Sequence, residues 1–163
     1  MSMPVFMKID TQDHGPIEGA CDLAGLEGTT EVYAINHIVE IPRSKSTGRP
    51  TGRRVHNDFT INKHIDKTTP LLYQTLCMGE KLTEVTFSWY RYGGDSGEME
   101  EFYKIRLENA VVTCIKPWTT YDKDPVNEES DQLESVSFAY EKIVWEWIDG
   151  VEYEDSWIDP EGA

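Results

Sequence analysis

Several groups of residues in this 163-residue chain have types and spacing that could do chemistry. Ser96 sits in Gly94-Asp95-Ser96-Gly97, the letters of a serine nucleophile in acyl transfer. That reaction needs a base and backbone donors for the oxyanion. Glu98 follows where the motif wants glycine, and turn-favouring residues explain the same letters as a hairpin turn. His14, His37, His56 and His64 show no HxH, HxxxH or HExxH spacing, so they form no recognisable metal motif. Asp10, Asp13 and His14 could gather around a cation but read more simply as a solvated loop. Gly48-Arg49-Pro50-Thr51-Gly52-Arg53-Arg54 is basic and glycine-punctuated like a phosphate loop, yet it lacks GxxxxGK[ST] and opens no helix. Trp145 and Trp147, two apart, share a strand face and read as core or interface packing rather than a sugar platform. His37 lies on an apolar strand face and reads as a hydrogen-bonded core or interface residue. No catalytic, cofactor-binding or metal-binding residue is assigned, and the chain reads as a non-enzyme.

The charge pattern points to contacts instead. The net charge is −15, which argues against general affinity for nucleic acid or anionic membrane. Residues 43–67 nevertheless carry seven cations against Asp58 and Asp66, and residues 122–163 carry 14 acids against Lys123 and Lys142. Opposite patches on one protomer suit head-to-tail self-association, the kind of contact that builds rings or filaments. The plainer reading is that the two patches neutralise each other within one subunit or keep it soluble. The basic residues concentrate in a long Gly/Pro-punctuated loop over residues 42–58. A loop of that length in a compact β domain is a functional segment or a disordered one.

The elements that position this loop read mostly as strands. Val5–Asp10 alternates as an opening strand, and Ile17–Ala20 forms a short one. Glu31–Ile41 reads as one strand with Tyr33, Ile35, His37, Val39 and Ile41 on a shared face, ended by Pro42. After the loop, Phe59 and Ile61 mark a short strand. Thr69 then suits an N-cap, Pro70 the first helical position and Gly79 the C-cap, predicting a helix at about 69–78 with Leu71, Leu72, Thr75 and Leu76 as its apolar stripe. Glu84–Tyr92 and Glu100–Pro117 are strands joined by a hairpin at Gly93–Gly97, with a bulge near Asn109. Residues 119–133 are a polar connection. Glu134–Ile148 is the last long strand. Its apolar parity switches between Tyr140 and Ile143, so a bulge near Glu141–Lys142 would turn both sets inward. Val151–Trp157 adds a short edge strand. The result is a single domain over residues 1–163, mainly β, a barrel or sandwich with one helix closing a side.

Cys21, Cys77 and Cys114 are far apart with no CxxC, which excludes a disulfide framework and suits a reducing compartment. Met1–Val5 shows no secretory signal, and no apolar run approaches the roughly 20 residues of a membrane span. The expectation is a cytoplasmic protein that, if exported, leaves without a cleaved leader.

Several of these segments together resemble the haemolysin-coregulated protein family, the tube proteins of bacterial type VI secretion. They are Pro42-Arg43, Gly48-x-Pro50-Thr51-Gly52-Arg53-Arg54-x-His56, Phe59-Thr60-Ile61, and Ile65-Asp66-Lys67-x-x-Pro70-Leu71-Leu72-Tyr73-Gln74. Ile17-Glu18-Gly19, Gly28-x-x-Glu31-Val32 and residues 134–147 fit as well, so that the resemblance runs over about residues 5–157. It implies a compact β-barrel of two packed antiparallel sheets with one short flanking α-helix and a long extended loop. It implies homohexameric rings stacked into a tube, a contractile sheath around it, a spike protein at its tip and effector proteins in its lumen. Release to the medium or a target cell would need no signal peptide, and no fused toxin domain is expected. In this family the long loop reaches a neighbouring protomer or ring, which places inter-subunit or ring-stacking contacts at Arg43, Lys45, Arg49, Arg53, Arg54 and His56. Two other readings compete: a small hydrolase using Ser96 with a histidine, and a monomeric β-barrel that binds a ligand.

Overall fold

The computed structural model describes residues 3–93, 97–119 and 132–156. β1 (Val5–Thr11) alternates as its sequence demands, with Val5, Met7 and Ile9 buried and Lys8 exposed. One edge of β1 pairs along β8 (Leu82–Tyr92), and the other takes β2 (Gly15–Ile17) and β3 (Thr30–Val32). The expected short strand thus sits two residues early, at 15–17. Beyond it the chain turns at Gly19, where a Cβ would lie 2.2 Å from the Thr29 carbonyl oxygen, so only glycine permits this approach.

β9 (Met99–Trp118) is 20 residues long and belongs to two sheets. Its first half pairs β8 and β11 (Lys142–Trp147), and its second half pairs β10 (Leu133–Ala139). The bend falls at Asn109, which adopts φ 50°, a left-handed conformation that asparagine tolerates. The parity slip expected there is present, since Leu107 and Ala110 both point inward across Glu108 and Asn109, but it is a bend and not a bulge: the register with β8 runs through unbroken, Leu82 opposite Ala110 and Glu84 opposite Glu108. The last long strand likewise breaks at Tyr140–Glu141 into β10 and β11, so Val136, Phe138 and Tyr140 are buried together with Ile143. Trp145 is half-buried, while Trp147 is 39% exposed and lies outside the core. Among the described residues β12 (Glu152–Ser156) pairs only β11.

β7 (Phe59–His64) pairs β10 and, on its other side, β4 (Ala34–Asn36). The segment expected as one strand over 31–41 is therefore three. β3 follows β1, β4 follows β7, and β5 (Val39–Glu40) pairs β6 (Val55–His56). Each change of partner breaks the ladder, which leaves Tyr33, Val39 and Ile41 exposed rather than on one buried face. Because residues 30–36 join β1 to β7, the pairing wraps two antiparallel sheets around one core. The core holds Phe59, Ile61, Leu82, Val85, Phe87, Leu107, Val136 and Phe138, all at 0% exposure. Phe59 stacks on Phe87 at 4.6 Å between ring centres. The two sheets rather than a uniformly closed cylinder make the barrel.

α1 (Thr69–Met78) packs on β9 through Leu72 and Thr75. Leu71 is exposed, so the stripe is narrower than its sequence pattern. Gly79 caps the C-terminus at φ 65°, with its N–H on the Leu76 carbonyl. At the N-terminus the cap position is Thr68, not Thr69, and it makes no side-chain cap bond. Three competing bonds explain the shift. The Asp66 carboxylate accepts the N–H and hydroxyl of Thr68, and the Thr69 hydroxyl donates to Glu134 at 2.8 Å. Among the described residues no helix is long and apolar enough to cross a membrane.

Candidate functional site: a clamped basic arm

The long loop is an arm with hairpin structure. At its root β5 and β6 pair through only two residue pairs, Val39 with His56 and Glu40 with Val55. Pro42 and Pro50 lack an N–H and interrupt the ladder. Beyond them the Pro42 carbonyl still accepts Thr51 N–H at 2.8 Å, and Ser44 N–H donates to the Arg49 carbonyl at 2.9 Å. Gly48 at φ 69° and the Ser44 hydroxyl close the tip. The arm buries almost nothing of its own. Ile38, Val39, Ile41 and Val55 are 37–52% exposed. Val39 and Ile41 line an open groove of about 900 Å³ whose walls include Pro42, Arg43, Pro50 and Arg54.

The six residues expected to make contacts divide into two sets. Arg43, Lys45, Arg49 and Arg53 are exposed and enter no ion pair with the described residues. Arg54 and His56 turn inward to the base of the arm. Arg54 grips Asp155 as a fork, Nε on one carboxylate oxygen at 2.5 Å and Nη2 on the other at 2.8 Å. His56, 5% exposed, sets Nε2 at 2.7 Å from the same carboxylate and Nδ1 at 2.6 Å from the Tyr140 hydroxyl. His37 Nε2 lies 2.8 Å from that hydroxyl on its other side. With both imidazoles neutral, one proton order satisfies the whole chain. His37 donates to Tyr140, Tyr140 donates to His56 Nδ1, and His56 Nε2–H donates to Asp155. The electrostatics follow. The Arg54 guanidinium holds the Asp155 carboxyl below its usual range against the opposing effect of burial, and Asp155 raises Arg54 in return. Burial, reinforced by His56 nearby, lowers His37 to about 4. Burial also raises the Tyr140 hydroxyl, with Asp155 and Asp58 adding to it.

The sequence singled out His37 correctly as a hydrogen-bonded residue but gave no sign of Asp155 or Tyr140 as its network partners. Nor did it reveal the ionic cluster under α1. There Lys63 and Glu134, both fully buried, pair at 2.5 Å, and Lys63 also donates to Asp66 and Thr69. One signal was available: strict alternation puts Lys63 beside Phe59 and Ile61, and Glu134 beside Val136 and Phe138, on core faces.

The remaining sequence candidates separate. His14 pairs with Glu80 at 2.8 Å at the end of β1, and His64 lies edge-on to Tyr33. Trp145 stacks on Tyr153, and Trp147 lies against Phe102. Gly94, Asp95 and Ser96 lie outside the described residues, as do residues 120–131 of the polar connection and Trp157. Among the described residues no group of three His, Cys, Asp or Glu side chains is placed to hold a metal.

The two-sheet β domain with its single docked helix is a fold shared with solved proteins of type VI secretion. The chain belongs to the Hcp family: the family model described as "Type VI secretion system effector, Hcp" matches residues 6–147. The Major exported protein of Pseudomonas aeruginosa is 36% identical over 170 residues, covering 98% of both chains. A crystal structure of an Hcp protein superposes with a TM-score of 0.87 at 31% identity, covering 96% of this chain and 98% of that one. Hcp1 from E. coli EAEC 042 gives a TM-score of 0.85 at 32% identity, covering 96% and 99%. The family is a structural secretion protein, in keeping with a site made of contacts.

Proposed function

We propose that this chain is the structural subunit of a type VI secretion inner tube. Protomers form hexameric rings, and rings stack into a tube. A contractile sheath drives the tube outward behind its spike protein, with effector proteins in the lumen, and the subunit itself leaves the cell by this route. The observation that carries the reading is the arm. Its apolar residues stay 37–52% exposed, and its four exposed cations enter no ion pair with the described residues of their own subunit. The chain elsewhere is strongly acidic, so a neighbouring copy offers the complementary surface. Arg43, Lys45, Arg49 and Arg53 would meet that surface, while Arg54 and His56 serve from the base. The outer face of the first sheet supplies a water-compatible lumen lining. Lys8, Thr86 and Arg106 follow one another across β1, β8 and β9, beside Ser88 and Lys104. Against a ligand-binding barrel, the space between the sheets is filled by Phe59, Phe87 and Phe138 at 0% exposure.

Native mass spectrometry with negative-stain imaging of one sample tests the reading. A mass near six times 18.7 kDa with ring-shaped particles is expected. A clean monomer at micromolar concentration and moderate salt would overturn self-assembly as an intrinsic property.

A further inference from the structure

We propose that β12 is a clamp for the arm, with Asp155 as the positioning residue that sets the arm's direction. The burial of β12 is the first ground. Of its five residues only Asp155 is buried, and this side chain is a carboxylate, so the strand adds almost no apolar surface to the core. The second ground is where that carboxylate points. Its hydrogen-bond partners are Arg54 on both oxygens and His56 on one, two residues of the return limb of the arm, and Arg54 also donates to the Ser156 carbonyl at 3.2 Å. The third ground is that, among the described residues, Asp155 makes the one charge-assisted fork on the arm. Apart from the two residue pairs of the ladder, the described fastenings of the root are the bond from Asn57 N–H to the Ile38 carbonyl and the uncharged hydrogen bonds of His56 and His37 to the Tyr140 hydroxyl at 2.6 and 2.8 Å, and its apolar side chains stay 37–52% exposed. An element without a core contact takes its pose from its polar contacts, and charge-assisted forks are the strongest of these. β12 is itself an edge strand held by β11, with Lys142 to Glu154 at 2.9 Å and Trp145 on Tyr153. Displacing β12 therefore releases the arm, and seating it aims the arm.

Limited trypsin digestion of the full chain reads this directly, because Arg43, Lys45 and Arg53 are exposed cleavage points in the arm, whereas Pro50 protects the bond after Arg49. With Asp155→Asn compared to the unaltered protein at the same native mass, cleavage within the arm is expected to quicken about tenfold while the thermal midpoint moves little. Asp155→Glu, which keeps the charge, should restore part of the protection. Equal arm cleavage in a folded Asp155→Asn protein would overturn the proposal. Should that variant not fold, hydrogen exchange on the unaltered chain decides. Backbone amides of β6 and β12 should exchange at one shared rate. β6 amides exchanging more than about tenfold faster than those of β12 would show the arm opening without its clamp and overturn it. The consequence for tubes rests on the tube reading: Asp155→Asn should form rings that do not stack. Cleavage and exchange are read on the subunit, so failure of the unaltered protein to form tubes counts against that reading and leaves the clamp test intact.

Discussion

Two ionic clusters in this molecule each hold one appendage to the barrel, and they do so in different surroundings. Under α1, Lys63 and Glu134 are wholly buried, and the helix they secure also plants Leu72 in the core at 0% exposure. At the root of the arm, Asp155 is nearly buried but its Arg54 partner is 23% exposed, and the arm plants no apolar side chain in the core. The helix is thus held by charge and by hydrophobic contact together, and cannot leave without unfolding the barrel. The arm is held chiefly by polar contacts, with the His56 ring against Tyr140 as its main packing contact, so it can be loosened while the barrel stays intact. On the proposed tube reading, the second arrangement suits a part that must meet a neighbour.

The largest expected effect tests the helix side of this comparison. Lys63→Met strands the Glu134 carboxylate in the core, where its Oε2 already has no hydrogen-bond partner, and should cost about 3–5 kcal/mol in urea unfolding. Adding Glu134→Leu should recover most of that loss, because an apolar pair of similar volume replaces the ions. A cost below about 1 kcal/mol for the single change would break the contrast, since it would make the core cluster no more binding than a surface pair.

Next comes the arm root. Tyr140→Phe removes the hydroxyl shared by His37 and His56 and should cost about 1–3 kcal/mol, the usual range for stranding buried polar groups. The same measurement on α1 contacts serves as control, because helix signals in circular dichroism should stay unchanged at a temperature below the transition.

Acid sharpens the comparison further. His37 titrates at about 4 in the fold and 6.5 when exposed, so between those pH values the unfolded chain binds a proton that the folded chain does not. The stability that His37 contributes is therefore full above 6.5, falls as pH drops from 6.5 to 4, and changes no further below. Asp155 is depressed by Arg54, so its contribution is present above the ordinary carboxylate value of 3.8 and is lost only below it. Urea midpoints at pH 7 and pH 4.5 should thus differ, and His37→Gln should flatten the difference. An unchanged slope in that variant would assign the titration elsewhere.

The smallest effect on the subunit is expected at the tip. Arg43→Glu with Arg49→Glu should leave subunit stability within about 0.5 kcal/mol, as exposed substitutions do, while weakening assembly and its salt dependence in sedimentation. Arg54 does not belong with these. Reversing its charge places a carboxylate against Asp155, so loss of assembly there would report a broken clamp rather than a lost contact.

Much of the barrel was legible because alternation of apolar residues is a local signal. β1, β8, β9 and the break between β10 and β11 follow it, and even the kink at Asn109 shows as a slip in parity. The error over residues 31–41 has a physical cause. Alternation continues through the segment, but its three parts pair with three different strands, and pairing is a property of distant residues. The Thr69 cap was misplaced for the same reason: Glu134, 65 residues away, takes the hydroxyl that a local rule assigned to the helix end.

The candidate site divides along that line. By itself the sequence determined that the chain is mainly β with one helix, that it resembles the haemolysin-coregulated protein family, and that five of its 15 lysines and arginines fall in one arm between Pro42 and Asp58. These are matters of composition, period and motif, all carried by neighbours along the chain. Only the tertiary structure decided which cations are free and which are fastened. Arg54 and Asp155 lie 101 residues apart, and His56 and Tyr140 lie 84 apart. Both become partners only when β6, β12 and the break after β10 are folded against one another, because hydrogen bonds act over a few ångströms of space without regard to distance along the chain.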